Sequence, residues 1–270
     1  CLVWMCFSLS AQKIIDLSGK WSFSIDRQDN GEKEKWFSHT LNDCINLPGS
    51  MPEKLKGDEV TAKTQWTGSL YDSSYYYNPY MEKYRKEGNI KFPFFLTPDK
   101  HYVGAAWYQK EVNIPADWKG ERILLFLERP HIETTVWVNG QKTGMQNSLC
   151  VPHQYDITHY VRPGKCTITI RVDNRIKEIN VGPDSHSITD QTQGNWNGIV
   201  GRICLQTTPK TYFDDIQIYP EPEQKLARVK VVIKGTGTAK VKLSAESFNT
   251  DKKHIVPAIQ QEIKLNKGVT

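Results

Sequence analysis

Short stretches in which apolar and polar side chains alternate recur along most of this chain from Ile14 onward. In one of them Trp21, Phe23 and Ile25 alternate with two serines and an aspartate. Successive side chains of a strand point to opposite faces, so a period of two is typical of half-buried strands in an antiparallel sheet. The sequence shows no long helical period. It therefore predicts an all-β protein built as a β-sandwich.

Two stretches predict particular strands of that sandwich. The run from Arg122 to Leu127 is almost continuously apolar, which favours a central strand buried on both faces. The stretches Thr134 to Val138 and Gln141 to Thr143 flank Asn139-Gly140, a pair that supplies the positive φ angles of a two-residue type I′ turn. We expect a β-hairpin there.

Two irregular segments interrupt the alternation. The first, Thr61 to Gly104, is rich in aromatic residues, which argues against disorder in a connection of this length. The second, Asn180 to Gly201, is shorter and mostly polar. We expect the first segment to form an ordered excursion at one end of the sandwich.

Charge and the first residues bear on partners and location. The net charge of +5 comes from 35 basic and 30 acidic side chains that are interspersed along the chain, which disfavours a nucleic-acid partner. Residues 1–12 combine an apolar run with small residues, which indicates the remnant of a secretory signal peptide, too short to span a bilayer. The alternative is a hydrophobic N-terminal strand. We expect a secreted or periplasmic protein without a membrane partner.

Cysteines and histidines lack the spacing of metal ligands. The cysteines beyond residue 12 are widely separated and are interpreted as buried thiols: Cys44, Cys150, Cys166 and Cys204. The histidines, His153 and His186 among them, are also scattered. The sequence therefore predicts no metal site and no cofactor.

The chain divides into two predicted domains. Pro220-Glu-Pro222, followed by charged residues, indicates a linker at the end of a first domain that covers residues 13–220. Residues 221–270 contain three strand candidates, Val229 to Ile233, Val241 to Ala245 and Ile259 to Leu265. An immunoglobulin-type sandwich needs about seven strands, so we expect this second domain to be truncated.

Nine short motifs follow one another in the first domain. They are Leu17-Ser-Gly-Lys-Trp21 with Phe23, Leu47-Pro-Gly49, Ala106-Trp-Tyr-Gln-Lys110, Leu124-Leu-Phe-Leu127, Val136-Trp-Val-Asn-Gly140, Tyr155-Asp-Ile-Thr158, Ile170-Arg-Val-Asp-Asn174, Gly198-Ile-Val-Gly-Arg202 and Phe213-Asp-Asp-Ile216. In this order they resemble the N-terminal sugar-binding domain of glycoside hydrolase family 2, whose fold is a jelly-roll β-sandwich. The resemblance covers Ile14 to about Pro220. Residues 221–270 resemble the start of the family's immunoglobulin-like domain.

The resemblance implies a role for the chain in a larger enzyme. Family 2 enzymes carry their catalytic pair, a Glu acid/base and a Glu nucleophile, on a later TIM barrel, and no segment here resembles barrel units. We therefore assign no catalytic residue, and we expect the chain alone to be inactive. The adjacent Asp214-Asp215 cannot act as such a pair, because neighbouring strand side chains point to opposite faces. The expected partners are the chain's own downstream barrel and the terminal sugar of an oligo- or polysaccharide.

The resemblance also points to sugar-contacting residues in the two irregular segments. In β-galactosidase-like relatives an Asp of the late loop and an Asn of the early loop reach the terminal sugar. The corresponding candidates here are Asp190, Gln193, Asn195 and Trp196 in the late segment, with Asn78 and Trp66 in the early one. Carboxylates, amides and an aromatic face are the groups that bind sugars. The alternatives are that Asp190 caps a turn and that the early-segment residues pack against the barrel.

Most matched residues are expected to be structural, and a loop carboxylate such as Asp190 is expected to contribute little to the core. Trp21, Trp107 and Trp137 are predicted to fill the space between the two sheets. Three functions stay open at this point. The first is a retaining exo-glycosidase of the β-galactosidase type to which this portion contributes a non-catalytic scaffold. The others are a free-standing lectin-like module and a sandwich that mediates only domain or subunit contacts.

Overall fold

The structure is a computed structural model that describes residues 13–68, 73–93, 96–149, 151–177, 185–186, 188–192, 194–246 and 255–265. The predicted signal-peptide remnant, residues 1–12, lies outside these ranges. The chain divides into two compact units, with the boundary between Thr207 and Thr208. Each unit is all-β, as the alternation predicts.

Thirteen strands of the described residues belong to the first unit, the last of them ending just past its boundary. They are β1 (Ile14–Asp16), β2 (Gly19–Asp26), β3 (Asp43–Leu47), β4 (Gly49–Ser50), β5 (Asp58–Glu59), β6 (Lys100–His101), β7 (Ala105–Ile114), β8 (Arg122–Pro130), β9 (Glu133–Val138), β10 (Gln141–Asn147), β11 (His153–Asp156), β12 (Gly164–Asp173) and β13 (Gly198–Thr208). A one-turn helix, α1 (Ser74–Tyr77), and three 3₁₀ helices, Trp36–Ser38, Pro79–Tyr84 and Ala116–Trp118, lie in the connections.

Two sheets form the sandwich of the first unit. One has the order β1-β13-β8-β11, with β4 beside β13, and the other has the order β10-β9-β12-β7-β2-β3. The six-stranded sheet is antiparallel throughout. Strands β5 and β6 pair separately and clamp the start and the end of the early irregular segment. The jelly-roll sandwich predicted from the sequence is therefore present.

The local predictions for the first unit are confirmed at two places. Strand β8 lies inside its sheet, between β13 and β11, and most of its residues are buried. Val138 pairs with Gln141 across the predicted hairpin, and the turn residues Asn139 and Gly140 have φ angles of 50° and 77°. Both angles lie in the left-handed region that a type I′ turn requires.

The main core lies between the two sheets. It contains the inward-facing apolar side chains of β12, Ile168, Ile170 and Val172, against Leu125 of β8 and Leu205 of β13. Trp21 belongs to this core, as predicted, and its indole Nε1 donates to the carbonyl oxygen of Leu17 at 2.9 Å.

Trp107 and Trp137 lie elsewhere, which corrects the prediction that they fill the space between the sheets. Their rings stack on the opposite face of the six-stranded sheet, with centroids 4.9 Å apart, and form a second core with Leu41. Phe37 stacks on Trp137 at 5.2 Å. The connection between β2 and β3 thus covers the outer face of the sheet, which is why both faces of β9 are buried.

The described residues of the second unit form two pairs of antiparallel strands. Strand β14 (Tyr212–Glu221) pairs with β15 (Leu226–Lys234), and β16 (Gly237–Glu246) pairs with β17 (Ile255–Leu265). A 3₁₀ helix, Pro222–Gln224, connects β14 to β15. The three strands predicted here lie within β15, β16 and β17.

The unit boundary differs from the predicted one. The sequence places a linker at Pro220-Glu-Pro222, but these residues form the tight connection between β14 and β15, and Pro220 itself pairs with Ala227. Proline is tolerated in such an edge position because the ladder there does not need its missing N–H group. Residues 208–220 therefore belong to the second unit.

The cysteines are free thiols where the structure describes them. Cys166 and Cys204 are buried, as expected, whereas Cys44 is exposed and contradicts the expectation. Cys44 lies on β3, the edge strand, where Ile45 and Leu47 occupy the inward face and Cys44 alternates outward. Cys150 lies outside the described residues.

Candidate functional site

The early and late irregular segments meet at one end of the first unit. The backbone N–H of Thr67 donates to Oδ2 of Asp190 at 2.7 Å, and the N–H of Asp190 donates to the carbonyl oxygen of Thr67 at 3.1 Å. The hydroxyl of Thr189 donates to the same carbonyl at 3.1 Å. Residues more than a hundred positions apart in the sequence are thus joined by a reciprocal set of hydrogen bonds.

Asp190 is the centre of this junction. Its side chain is almost fully buried, at 2% exposure, and Oδ1 accepts the backbone N–H of Asn195 while Oδ2 accepts that of Thr67. Each carboxylate oxygen therefore has a backbone donor, as in the turn-capping alternative. The structure contradicts the expectation that Asp190 contributes little to the core, because the side chain is buried and bonded to the backbone of both segments. Its contact with a sugar stays a prediction.

Asn195 extends the junction towards the sheet. Its side-chain Nδ2 donates to Oγ1 of Thr67 and to the carbonyl oxygen of Asn174, each at 3.0 Å, and its Oδ1 accepts from Nδ2 of Asn174 at 3.1 Å. Asn174 directly follows β12, and its Oδ1 accepts the N–H of Gly104, which precedes β7. A chain of buried amides therefore fixes both irregular segments to the ends of two central strands.

Trp196 is the large aromatic side chain of the late segment. The residues on either side of it, Asn195 and Asn197, are buried, and Asn197 binds the carbonyl oxygens of Gly104 and Val172 at 2.9 and 3.0 Å. Trp196 itself is half-buried. Anchored on both sides, its backbone holds the indole at the edge of the junction, where an aromatic face suits a sugar ring.

His131 lies directly against Trp196 and is a residue that the sequence does not single out. The two rings are stacked, with centroids 4.6 Å apart and planes inclined by 18°. Burial lowers the pKa of His131 to about 4 and outweighs a hydrogen bond with the Asn195 side chain, which raises it. The imidazole is therefore neutral near pH 7. His131 directly follows the end of β8 at Pro130, beyond the Arg122–Leu127 run from which that strand was predicted.

The early segment presents its candidates differently. Trp66 is half-buried and packs edge-on against Phe92, with ring centroids 5.0 Å apart. Its ring is also tilted against that of His101, with centroids 4.8 Å apart. Oδ1 of Asn78 accepts the N–H of Tyr80 at 3.0 Å and caps the helix Pro79–Tyr84. The amide oxygen of Asn78 is thus committed to a turn. Gln193, the remaining candidate, lies outside the described residues.

Where the structure describes it, the early segment forms α1 and the helix Pro79–Tyr84, and it exposes tyrosines. Tyr75 is buried, stacks on Phe92 at 4.6 Å and donates its hydroxyl to the carbonyl oxygen of Tyr84. Exposed next to this anchor are Tyr76, Tyr77 and Tyr80.

A network of six charged side chains supports the same end of the six-stranded sheet. Arg171 contacts Asp29 at 2.6 Å, Arg175 contacts Asp173 at 2.6 Å and Lys177 contacts Glu133 at 2.8 Å. Burial alone would raise the pKa of Asp173, but hydrogen bonds from Arg175 and Lys177 outweigh it and hold the pKa well below its usual range. The network places Asp29, from the β2–β3 connection, beside the strand end that carries Asn174.

The described residues contain no cluster of three or more His, Cys, Asp or Glu side chains arranged to hold a metal ion. In the same part of the chain, the helices are too short and too polar for any of them to cross a membrane.

Family comparison places the chain in a known group. The family described as "Glycosyl hydrolases family 2, sugar binding domain" matches residues 14–209. The match covers more than half of the chain and nearly the whole first unit. The chain belongs to glycosyl hydrolase family 2, and its first unit is that family's sugar-binding domain.

The individual relatives are named β-glucuronidases. The human protein is 24% identical over 266 residues, which cover 88% of this chain and 35% of the relative. The protein of Paenibacillus borealis is 24% identical over 222 residues, covering 77% and 31%. A solved β-glucuronidase from Ruminococcus gnavus, in complex with D-glucaro-d-lactam, has a TM-score of 0.60 at 15% identity and covers 97% of this chain and 41% of that chain.

These figures bear on two expectations. The chain spans about a third of the length of the curated relatives it matches. The subgroup named by these relatives is β-glucuronidase, whereas the sequence led to the expectation of a β-galactosidase-like protein. The solved structure, at this identity, supports the fold.

Proposed function

We propose that this chain is the N-terminal, non-catalytic portion of a glycoside hydrolase that removes a terminal sugar from a β-glycoside, with β-glucuronides as the substrate class. Membership of family 2 supports glycosidase chemistry, and the names of the relatives favour a glucuronide over a galactoside. In this proposal the catalytic carboxylates belong to a barrel that follows in the complete protein. The protein acts outside the cytoplasm, in the periplasm or after secretion.

The observation that carries the proposal is the junction between the two irregular segments. It brings Trp196 and the early segment to one end of the sandwich and fixes them through Asp190 and Asn195. A rigid surface that carries an aromatic ring can form one side of a sugar pocket, because preorganised contacts lose less entropy on binding. In this proposal, the surface formed by the junction and Trp196 completes the sugar pocket of the barrel.

The local chemistry also explains why this portion is assigned no catalysis. A retaining glycosidase needs two carboxyl groups about 5–5.5 Å apart, one protonated and one ionised. At this end of the sheet, Asp190 is occupied by backbone donors, and Asp173 and Glu133 are paired with cations. Carboxylate oxygens engaged in this way are not free to attack a substrate, and the lowered pKa of Asp173 makes that residue a poor proton donor.

The test compares the complete protein encoded by this gene with the 270-residue chain. The complete protein should hydrolyse an aryl β-D-glucuronide faster than the matched aryl β-D-galactoside, and the chain alone should hydrolyse neither. Trp196→Ser in the complete protein should lower kcat/KM roughly 3- to 10-fold through loss of an aromatic contact. Lys165→Ala, at the opposite end of β12 and exposed, is the control and should leave kcat/KM unchanged.

Other results of these assays would change the proposal in specific ways. Faster hydrolysis of the galactoside would reject the substrate class and retain the glycosidase. A complete protein that binds the sugar but turns over no aryl glycoside would support the lectin-like alternative. Turnover by the rigorously purified chain would reject the assignment of catalysis to a later barrel. Detection of the complete protein only in the cytoplasm would contradict its proposed location.

A further inference from the structure

We propose that His131 is a positioning residue that holds the Trp196 indole in its orientation at the junction, so that the stacked pair acts as one aromatic platform. The proposal rests on the proposed function only for what the platform binds, a sugar ring. The stacking of the two rings, with planes inclined by 18°, is the observation from which it starts. Neither the family match nor the relatives' names assign a role to this histidine.

Backbone hydrogen bonds join the segment that carries His131 to the segment that carries Trp196. The N–H of His131 donates to the carbonyl oxygen of Gly198 at 3.2 Å, and the N–H of Ile132 donates to that of Asp173 at 3.2 Å. Gly198 lies two residues after Trp196. The connection between β8 and β9 is therefore bonded to the late segment, and His131 cannot shift relative to Trp196 without breaking a backbone hydrogen bond.

The imidazole is enclosed by the protein, with the Trp196 indole stacked on its face and the Asn195 side chain close enough to act on its pKa. His131 is buried, and its Nε2 has no hydrogen-bond partner among the residues that the structure describes. Burying a ring nitrogen without a partner costs free energy, which the aromatic contact offsets in part. Because burial keeps the ring neutral near pH 7, it stacks without bringing a charge into the interior.

Among the residues that the structure describes, His131 is the ring that stacks on the Trp196 indole. Asn195 and Asn197 hold the backbone on either side, but their hydrogen bonds do not restrict rotation of the indole about its own side-chain bonds. A flat ring packed beneath it does. Removal of the imidazole should therefore leave the late segment in place and release the indole.

A spectroscopic experiment on the 270-residue chain tests the positioning directly. The chain has eight tryptophans, and the indole N–H signal of Trp196 is assigned in a ¹⁵N–¹H spectrum by its loss in Trp196→Phe. His131→Ala should move and broaden this signal, whereas His131→Phe, which keeps a flat ring and removes the unpartnered nitrogen, should restore its sharpness. His101→Ala, the matched change beside Trp66, should affect the Trp66 signal instead.

A kinetic experiment on the complete protein tests what the platform binds. With an aryl β-D-glucuronide, His131→Ala should raise KM roughly 3- to 10-fold with a smaller effect on kcat, as Trp196→Ser does, and the double variant should be no worse than Trp196→Ser alone. His131→Phe should restore KM, and His159→Ala, an exposed histidine, should leave it unchanged.

The two experiments separate the possible failures. If His131→Ala lowers Tm but leaves both the Trp196 signal and KM unchanged, the histidine only fills space and the proposal is wrong. If the signal responds as expected while the complete protein hydrolyses no glycoside, the positioning stands and the proposed function falls. If His131→Ala unfolds the chain, His131→Phe decides: a Trp196 signal that stays sharp supports stacking, and one that is lost overturns it.

Discussion

Removal of the Asp190 carboxylate is the most direct test of how the junction is built. Asp190→Ala deletes the acceptor of two backbone N–H groups, those of Thr67 and Asn195, and leaves them without their partners. The Asn195 group lies in a buried site, so water cannot replace the carboxylate there without cost. The early and late segments lose the central bond between them.

The size of the effect follows from these two bonds. A buried donor left unsatisfied costs about 1–3 kcal/mol, so loss of the bond to Asn195 alone should lower the free energy of unfolding by roughly that amount. Loss of the part-buried bond to Thr67 adds to it. For a unit of this size, 1 kcal/mol corresponds to about 2–4 °C in Tm. Even the lower estimate should therefore lower Tm by roughly 2–4 °C.

Thermal unfolding followed by circular dichroism measures this change on the 270-residue chain, with urea unfolding as a second measure. Thr192→Ala is the control in the same segment, because its hydroxyl bonds only to nearby carbonyl groups, those of His186 and Thr189. It should change Tm by no more than a degree or so. If Asp190→Ala matches this control, the carboxylate does not hold the junction together, and the reasoning from its buried hydrogen bonds is refuted.

Packing and charge give three more expected outcomes. Trp137→Ala should lower the free energy of unfolding by roughly 3–5 kcal/mol, because its ring stacks on Trp107 in a buried cluster; a urea titration that shows a loss under about 1 kcal/mol would contradict this. Gly31→Ala should lower the free energy of unfolding by about 1–3 kcal/mol in the same assay. An added Cβ would lie 2.5 Å from Nε1 of Trp107 and 2.7 Å from Oδ2 of Asp26. A neutral result would show that the β2–β3 connection can move aside. The depressed pKa of Asp173 means that its contribution to stability is complete above the unfolded value of about 3.9 and is lost as pH falls through the lower folded value. Asp173→Asn should therefore flatten the acid side of the profile of Tm against pH, and an unchanged acid side would argue against the ion-pair network.

The sequence predicted the strands well because their pattern is local. Alternation and the Asn139-Gly140 turn depend on neighbouring residues alone, and they gave the hairpin and the strands of the sheets. Alternation also separates the two faces of a strand, but it does not show what covers the outer face. Trp107 and Trp137 were for this reason assigned to the wrong core: the covering connection between β2 and β3 comes from a distant part of the sequence.

The sequence marked the two candidate segments but not the contacts that their side chains make. Composition and length marked the two irregular segments, and the structure brings them together through Thr67 and Asp190. Whether a polar side chain points to a ligand or into the protein depends on partners far away in the sequence. Asp190 and Asn195 have such partners, and the stacking of His131 on Trp196 appears only once β8 and the late segment are side by side.

The internal hydrogen bonds of the candidate polar side chains at this end of the sandwich bear on sugar specificity. Asp190, Asn195 and Asn78 each commit side-chain oxygens to internal hydrogen bonds, so in these three described candidates the bonded oxygens are not free to bind sugar hydroxyls. The half-buried Trp196 presents mainly an aromatic surface, which favours sugar rings in general and discriminates little between their substituents. Discrimination of a carboxylate from a hydroxymethyl group requires charged or hydrogen-bonding partners. On the proposed function, the choice of a glucuronide therefore falls to residues of the barrel, and this chain supplies the shape and rigidity against which they act.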